Sequence, residues 1–206
     1  MEKGVDTSYA NGAVDWAAAK ADGLSFAYMR ACYGNNPTDD DPNFASNHDQ
    51  AKAEGLLVGA YFFYLADDDP VAMVSHFMDR IDGRQGDLLP CIDVEEGSFI
   101  IGQKMPATLN VRHLAACSTA LQKAFNGRLP VIYTNADTWS IYFARTDAFS
   151  GHPLWVANPS NPPGAPDLVP GWATWAIHQY SQSGTLSGAH GTFDLDCSRD
   201  LDPLKL

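Results

Sequence analysis

The sequence has few basic residues and no long apolar run, and each shortage excludes a class of protein. Lysine and arginine number 13 against 25 aspartates and glutamates, which gives a formal net charge of −12. Nucleic acids and anionic membranes both attract basic surfaces, so neither is expected as a partner. No apolar stretch approaches the ~18 residues that a membrane-spanning helix requires. Residues 1–6 contain no apolar stretch of signal-peptide length.

The sequence also lacks the spacings that bind metal ions. Cys32, Cys91, Cys117 and Cys197 form no CxxC pair, and the histidines form neither an HxH nor an HExxH pattern. We therefore expect no zinc site and no cofactor. A chain of 206 residues can bury a full core without disulfides, so the cysteines are predicted to be mostly buried free thiols.

Short apolar runs recur along the chain, and helical patterns separate the early ones. Eight runs are strand candidates: Val5–Ser8, Phe26–Cys32, Leu56–Leu65, Leu88–Val94, Pro130–Thr134, Pro153–Ala157, Thr174–Tyr180 and Thr192–Cys197. Four segments have helical patterns: Val14–Ala21, Asn43–Glu54, Val71–Ile81 and Ala107–Phe125. This alternation is typical of βαβ units and a parallel sheet. The sequence predicts an α/β fold, an irregular TIM-like (β/α) barrel with few helices in its last third, as a single domain over residues 1–206.

The fourth strand candidate contains the strongest local signal for chemistry. In such barrels the active site lies at the carboxyl ends of the strands. Side chains alternate along a strand, so Asp93 and Glu95 face the barrel interior together and Cys91 fills a deeper layer. Close carboxylates cannot both ionise freely, and a raised pKa suits a general acid. The same pattern is also compatible with a strand cap or a cation site.

Two further carboxylates are predicted to reach the same mouth. Asp6 ends the first strand, and Asp194 lies between two apolar residues on the eighth, which neighbours the first in a closed barrel. Four carboxylates around one opening are costly and difficult to explain structurally. Their negative charges should raise the pKa of Glu95 above its ordinary value.

Aromatic and polar side chains accompany these acids on the predicted strands. The aromatic candidates are Tyr61, Tyr133, Trp155 and, less directly, Trp175, and Gln179 lies on the seventh strand. Carboxylates with an aromatic rim indicate glycoside hydrolysis, in which rings stack on sugar faces. Arg30 either neutralises a barrel carboxylate or contacts substrate.

Other polar and aromatic residues have structural interpretations. The acidic runs 39–41 and 67–69 precede helices and are expected to cap them. Trp16 and Trp139 are expected to be packing anchors, and His178 a core residue.

The order of motifs over residues 4–197 resembles one family. The matching pieces are GVDTS with a following VDW, FAYMRACYG, DPNF, AKAEGLLVGAYFF, LPCIDVE, LPVIYTN, PLWVAN, HQYS and GTFDLD. Together they resemble the family-25 glycoside hydrolases, which are muramidase-type lysozymes. This resemblance implies hydrolysis of the β-1,4 bond between N-acetylmuramic acid and N-acetylglucosamine in peptidoglycan.

The resemblance also implies roles for the acidic residues. The family's acidic positions fall on Asp6, Asp93, Glu95 and Asp194. By resemblance Glu95 is the general acid, and Asp93 orients the substrate's acetamido group or stabilises the developing cation. Family members look like retaining enzymes, and whether the intermediate is covalent or formed by the substrate's N-acetyl group stays open.

The substrate-binding candidates are Tyr61, Tyr133, Trp155, Gln179 and Arg30. The expected partner is the peptidoglycan glycan strand, bound by a monomer that is secreted or released and acts on the cell wall.

Four positions depart from the resemblance and leave alternatives open. Tyr33 stands where the family often has an acid, Phe62 where it commonly has His, Asn158 near a frequent Tyr, and His178 in place of Trp. The alternative hypothesis is a non-catalytic barrel that binds glycan or a partner. A chitinase is a third hypothesis. The chitinase pattern has acidic residues ahead of this pair in the strand, whereas here no acidic residue precedes Asp93 in the fourth strand candidate.

Overall fold

Eight strands close into a barrel in chain order in a computed structural model that describes residues 1–100, 105–187, 189 and 191–206. The strands are β1 (Glu2–Thr7), β2 (Leu24–Tyr33), β3 (Leu57–Phe63), β4 (Cys91–Asp93), β5 (Val131–Thr134), β6 (Leu154–Ala157), β7 (Ile177–Gly184) and β8 (Phe193–Ser198). The α-helices are α1 (Trp16–Ala21), α2 (Phe44–Ala53), α3 (Pro70–Arg80), α4 (Ala107–Ala124) and α5 (Ala136–Tyr142). The predicted irregular α/β barrel is confirmed.

The last strand departs from the expected parallel arrangement. Strands β1 to β7 are parallel to one another, whereas β8 is antiparallel to both of its neighbours, β7 and β1. The connection between β7 and β8 covers only residues 185–192. A parallel crossover needs about a dozen residues or more, so this short connection reverses the chain direction. The reversal decides which end of β8 reaches the barrel mouth.

The predicted boundaries differ from the observed ones where pairing partners decide the ends. Strand β7 was predicted over Thr174–Tyr180 but extends to Gly184, because its polar end pairs with β8. Helix α5 was not predicted. It covers seven residues after β5, and the side chain of Asn135 caps it by accepting a hydrogen bond from Thr138 N.

The core has two layers, one inside the barrel and one between the barrel and the helices. Large rings fill the inside, and glycines on neighbouring strands make room for two of them. A Cβ at Gly4 would overlap the Phe26 ring, and one at Gly59 would overlap the Tyr28 ring. Barrels of this size are packed with side chains and contain no open channel.

The remaining core predictions concern single residues. All four cysteines are buried and free, as predicted. Trp16 and Trp139 are buried packing residues, and Cys91 lies in the inner cluster. No helix in the described part of the chain is long and apolar enough to cross a membrane.

Candidate active site

A cavity of about 310 Å³ opens at the barrel end where strands β1 to β7 terminate and β8 begins. All nine side chains predicted for the site line this cavity: Asp6, Arg30, Tyr61, Asp93, Glu95, Tyr133, Trp155, Gln179 and Asp194. Ser8, Asn11, Phe63 and Thr192 complete most of the wall. Among the described residues, no group of three or more potential ligands is arranged to hold a metal ion.

Strand β4 supplies two of the carboxylates. Its last paired residue is Asp93, but the extended conformation continues through Glu95, at φ −136° and ψ −177°. Val94 N donates to Tyr133 O at 2.9 Å, and Glu95 N donates to Ser98 Oγ at 3.0 Å. These bonds hold the alternation beyond the paired strand, so both acids face the cavity.

The two β4 acids have different surroundings. Asp93 is buried, and its Oδ1 receives no hydrogen bond from the described residues, whereas Glu95 is half-buried. Burial and then the charge of Glu95 raise the pKa of Asp93 well above its ordinary value. Burial and then the charge of Asp194 raise the pKa of Glu95, while Arg30 opposes both increases. The pKa of Glu95 is therefore raised as expected, but the neighbouring charge that raises it most is that of Asp194, whereas the sequence spacing suggested Asp93.

Strands β1, β7 and β8 supply the opposite wall. Asp6 lies opposite Asp194 in the antiparallel register. Gln179 Nε2 donates to Asp6 Oδ2 at 2.9 Å, and Tyr133 Oη donates to Gln179 Oε1 at 2.9 Å. Burial and then the charge of Asp194 raise the pKa of Asp6, and burial raises that of Asp194.

Arg30 forms an ion pair that the sequence interpretation did not include. Its Nε lies 3.5 Å from Oδ2 of Asp41, and its guanidinium lies 5.0 Å from the centre of the Tyr9 ring. Asp41 also accepts from Tyr9 N at 2.6 Å and from Asn43 N at 2.9 Å. Asp41 was interpreted only as a helix-capping residue; it also fixes the arginine and the loop after β1.

The predicted aromatic residues pack against one another at the bottom of the cavity. The Trp155 ring centre lies 5.2 Å from that of Tyr133, 4.9 Å from that of Tyr28 and 6.4 Å from that of Tyr61. These rings form a packed floor with little exposed area. Sequence reasoning missed Phe63, which lines the cavity and stacks on Tyr33 at 4.3 Å.

Trp175, a weaker candidate for the aromatic rim, lies outside the cavity. Its ring contacts the Arg199 guanidinium at 4.7 Å and does not line the cavity. His178 is a buried core residue, as predicted. Gly164 N donates to its Nδ1 at 3.2 Å, so its Nε2 donates to Asn158 O at 3.0 Å and ties β7 to the proline-rich loop.

A second opening adjoins the first at Glu95 and Tyr133. It has a volume of about 600 Å³ and runs over the ends of β5 and β6, along α5 and the loop after β6. The two together form an elongated groove with Glu95 between its halves. A groove of this shape suits an extended chain better than a compact small molecule.

A family comparison decides what this barrel is. The model of glycosyl hydrolases family 25 matches residues 5–189. The chain belongs to glycosyl hydrolases family 25. Lysozyme M1 of Streptomyces globisporus is 31% identical over 93% of this chain and 66% of its own length. The N,O-diacetylmuramidase of a Chalaropsis species is 30% identical over 91% of this chain and 92% of its own length.

Solved structures agree with the family-25 assignment. The bacterial lysozyme from Streptomyces coelicolor superposes with a TM-score of 0.84 at 26% identity, over 98% of this chain and 93% of that one. The chain spans 66% of Lysozyme M1 and 55% of the autolytic lysozyme of Clostridium acetobutylicum. The shared family-25 barrel is therefore only part of those two proteins.

Proposed function

We propose that this family-25 barrel hydrolyses the β-1,4 bond between N-acetylmuramic acid and N-acetylglucosamine in peptidoglycan. The observation that carries the proposal is the meeting of Asp6, Asp93, Glu95 and Asp194 around one cavity with an aromatic floor. Paired carboxylates beside aromatic rings suit an oxocarbenium-like transition state. Relatives named lysozyme and N,O-diacetylmuramidase support the same class of reaction.

In the proposed reaction Glu95 is the general acid. It is half-buried at the junction of the two openings, and burial and Asp194 raise its pKa, so it keeps a proton to a higher pH than an ordinary glutamate. That proton passes to the glycosidic oxygen as the bond to the sugar C1 breaks. Water then supplies hydroxyl to C1 and returns a proton to Glu95. A glycosyl intermediate, either covalent or acetamido-assisted, precedes this step.

Asp93, Asp6 and Asp194 assist the reaction from the cavity wall. Asp93 orients the acetamido group or stabilises the positive charge that develops at C1. Asp6 is held by Gln179, and Asp194 faces the cavity beside it. Tyr61, Tyr133, Trp155, Gln179 and Arg30 are proposed to contact the sugars. The net charge of −12 gives no attraction to nucleic acid or anionic membranes. We propose a monomer that is secreted or released and acts on the cell wall.

The decisive experiment is digestion of purified peptidoglycan, followed by mass spectrometry of the reduced fragments. Muramic acid at the new reducing ends is expected. Glucosamine at those ends would mean a glucosaminidase, and binding without turnover would mean a non-catalytic barrel. Chitin oligomers serve as a second substrate, and preference for them would contradict the proposal.

A further inference from the structure

Asp196 is a buried acid that the proposed reaction does not use. It lies two residues after Asp194 on the inner face of β8, and its side chain is 0% exposed. The barrel register pairs it with Gln179 on β7 and with Gly4 on β1. It does not line the cavity, whereas Asp194 two residues earlier does.

Two residues of the cavity wall, Trp155 and Asp6, are neighbours of this acid. Trp155 Nε1 donates to Asp196 Oδ1 at 2.8 Å. The other oxygen, Oδ2, is buried and receives no N–H donor from the described residues. Asp6 lies diagonally across from Asp196, since β1 pairs Asp6 with Asp194 and Gly4 with Asp196, and the β7 partner of Asp196, Gln179, donates to Asp6 Oδ2. Both Trp155 and Asp6 line the cavity.

The charges around Asp196 are all negative or neutral. The titratable groups that face it are Asp6 from β1, Tyr28 from β2, Cys91 from β4, Tyr180 from β7, and Asp194 and Cys197 from β8. Among the described residues, no cation is a main influence on the pKa of Asp196. Two neighbouring carboxyls inside a barrel cannot both ionise freely without a compensating cation.

One proton between Asp6 and Asp196 resolves this conflict. Burial, and then the charge of Asp6, raises the pKa of Asp196 well above its ordinary value. Each carboxyl accepts one N–H, Asp6 from Gln179 and Asp196 from Trp155, but Asp6 lines the cavity whereas Asp196 is fully buried, where the neutral form is favoured. The proton therefore belongs on Asp196, where the O–H can donate to Asp6.

We propose that Asp196 is a positioning residue that stays protonated, donates a hydrogen bond to Asp6 and fixes the Trp155 indole with its other oxygen. One buried carboxyl thus orients an acid and an aromatic ring of the cavity together. The catalytic consequence rests on the proposed function, whereas the proton on Asp196 does not.

The first test compares Asp196→Asn with Asp196→Leu in peptidoglycan hydrolysis. The asparagine amide can donate to Asp6 while its carbonyl accepts from Trp155, so this variant should stay within about threefold of the wild-type kcat. The leucine variant can do neither, and displaced reacting groups cost on the order of 10²-fold. Rescue by asparagine but not by leucine is the expected result. Loss with Asp196→Asn as large as with Asp6→Asn would overturn the proposal, because it would mean that Asp196 acts as a charge.

The second test measures stability and not activity. It therefore remains valid if the leucine variant does not fold or if peptidoglycan is not the substrate. A carboxyl whose folded pKa is raised binds more protons in the folded state, so its presence lowers stability as pH rises from ~3.9 towards the folded pKa. Asparagine does not titrate. The melting temperature of Asp196→Asn minus that of the wild type should therefore increase between pH 4 and pH 8. A difference that stays constant or decreases over this range would refute a protonated Asp196.

Discussion

Strands β4 and β8 each place two acids on the barrel interior two positions apart, yet the order of depth is opposite. On β4 the first acid, Asp93, is buried and the second, Glu95, is half-buried. On β8 the first acid, Asp194, is half-buried and the second, Asp196, is buried. The difference follows from direction, since β8 is antiparallel to its neighbours. A pair of alternating acids therefore identifies a barrel face, but strand direction decides which member reaches substrate.

The two pairs also differ in their surroundings. Arg30 lies near the β4 pair and lowers the pKa of both acids. The β8 pair has the indole of Trp155 and the carboxyl of Asp6 as its partners. We therefore expect the β4 pair to serve proton transfer at the cavity and the deep member of the β8 pair to serve positioning.

The largest expected effect comes from the outer acid of β4. Glu95→Gln removes the proposed general acid and should lower kcat by about 10²–10⁴-fold. The fold should remain, because Glu95 is half-buried and its backbone bonds are unchanged by the substitution. Release of soluble fragments from peptidoglycan measures the effect.

The matched control for this change is Glu54→Gln, on an exposed residue after α2. It should leave kcat unchanged. If Glu95→Gln keeps near-normal turnover while Asp6→Asn or Asp194→Asn is inactive, the assignment of Glu95 as the general acid is wrong.

A second change tests the deep acid of β8 through its donor. Trp155→Phe removes the N–H that bonds to Asp196 Oδ1 at 2.8 Å. A buried acceptor that loses its donor costs about 1–3 kcal/mol of unfolding free energy. Denaturant unfolding should show this loss. Trp175→Phe is the control, because Trp175 packs against Arg199 outside the cavity. An equal loss in both variants would contradict the specific role of the bond.

The outer acid of β8 should control the pH profile. The rate is expected to follow a bell-shaped curve with its optimum below neutrality, and the limbs belong to the coupled carboxyls together. Asp194 raises the pKa of Glu95, so Asp194→Asn should let Glu95 lose its proton earlier and move the alkaline limb to lower pH. Measured kcat/KM against pH tests this, with Asp200→Asn as the exposed β8-side control. An alkaline limb that moves to higher pH would reverse the assigned sign.

The smallest expected effect is a shift of the alkaline limb in the opposite direction, caused by a change at Arg30. Arg30 lowers the pKa of Glu95, and its influence ranks below that of Asp194. Arg30→Gln should therefore move the alkaline limb to higher pH. Arg199→Gln serves as a control, because Arg199 lies over Trp175 outside the cavity. If Arg30→Gln and Asp194→Asn move the limb in the same direction, local charge does not set the pKa of Glu95.

Sequence reasoning predicted the β4 pair well because local alternation is sufficient there. Glu95 stays in extended conformation beyond the last paired residue, so counting by twos places it correctly. The same counting predicted that Asp194 faces the barrel interior, but it did not predict how far the side chain lies below the cavity mouth. Asp196 lies two residues after Asp194, so alternation also places it on the inner face. Alternation alone does not show that Asp196 is fully buried.

Other features depend on contacts between distant residues. Arg30 and Asp41 form an ion pair across a loop. The sequence predicts only that Asp41 precedes and caps a helix, because it does not show which distant side chain lies nearby. Helix α5 has only seven residues, which is too short for a clear period. Asp194 acts on Glu95 only because closure brings β8 to the same mouth as β4.

The sequence by itself determined the eight-stranded barrel, its inward acids and its family-25 pattern, because alternation and motif spacing are local properties of the chain. Only the tertiary structure decided that β8 runs antiparallel, that Asp194 is half-buried while Asp196 is fully buried, and that Asp6 and Asp196 are neighbours across β1 and β8. Depth, charge neighbours and proton sharing depend on distances between strands far apart in sequence. Those distances are set when the barrel closes, since closure fixes both the register and the direction of every strand.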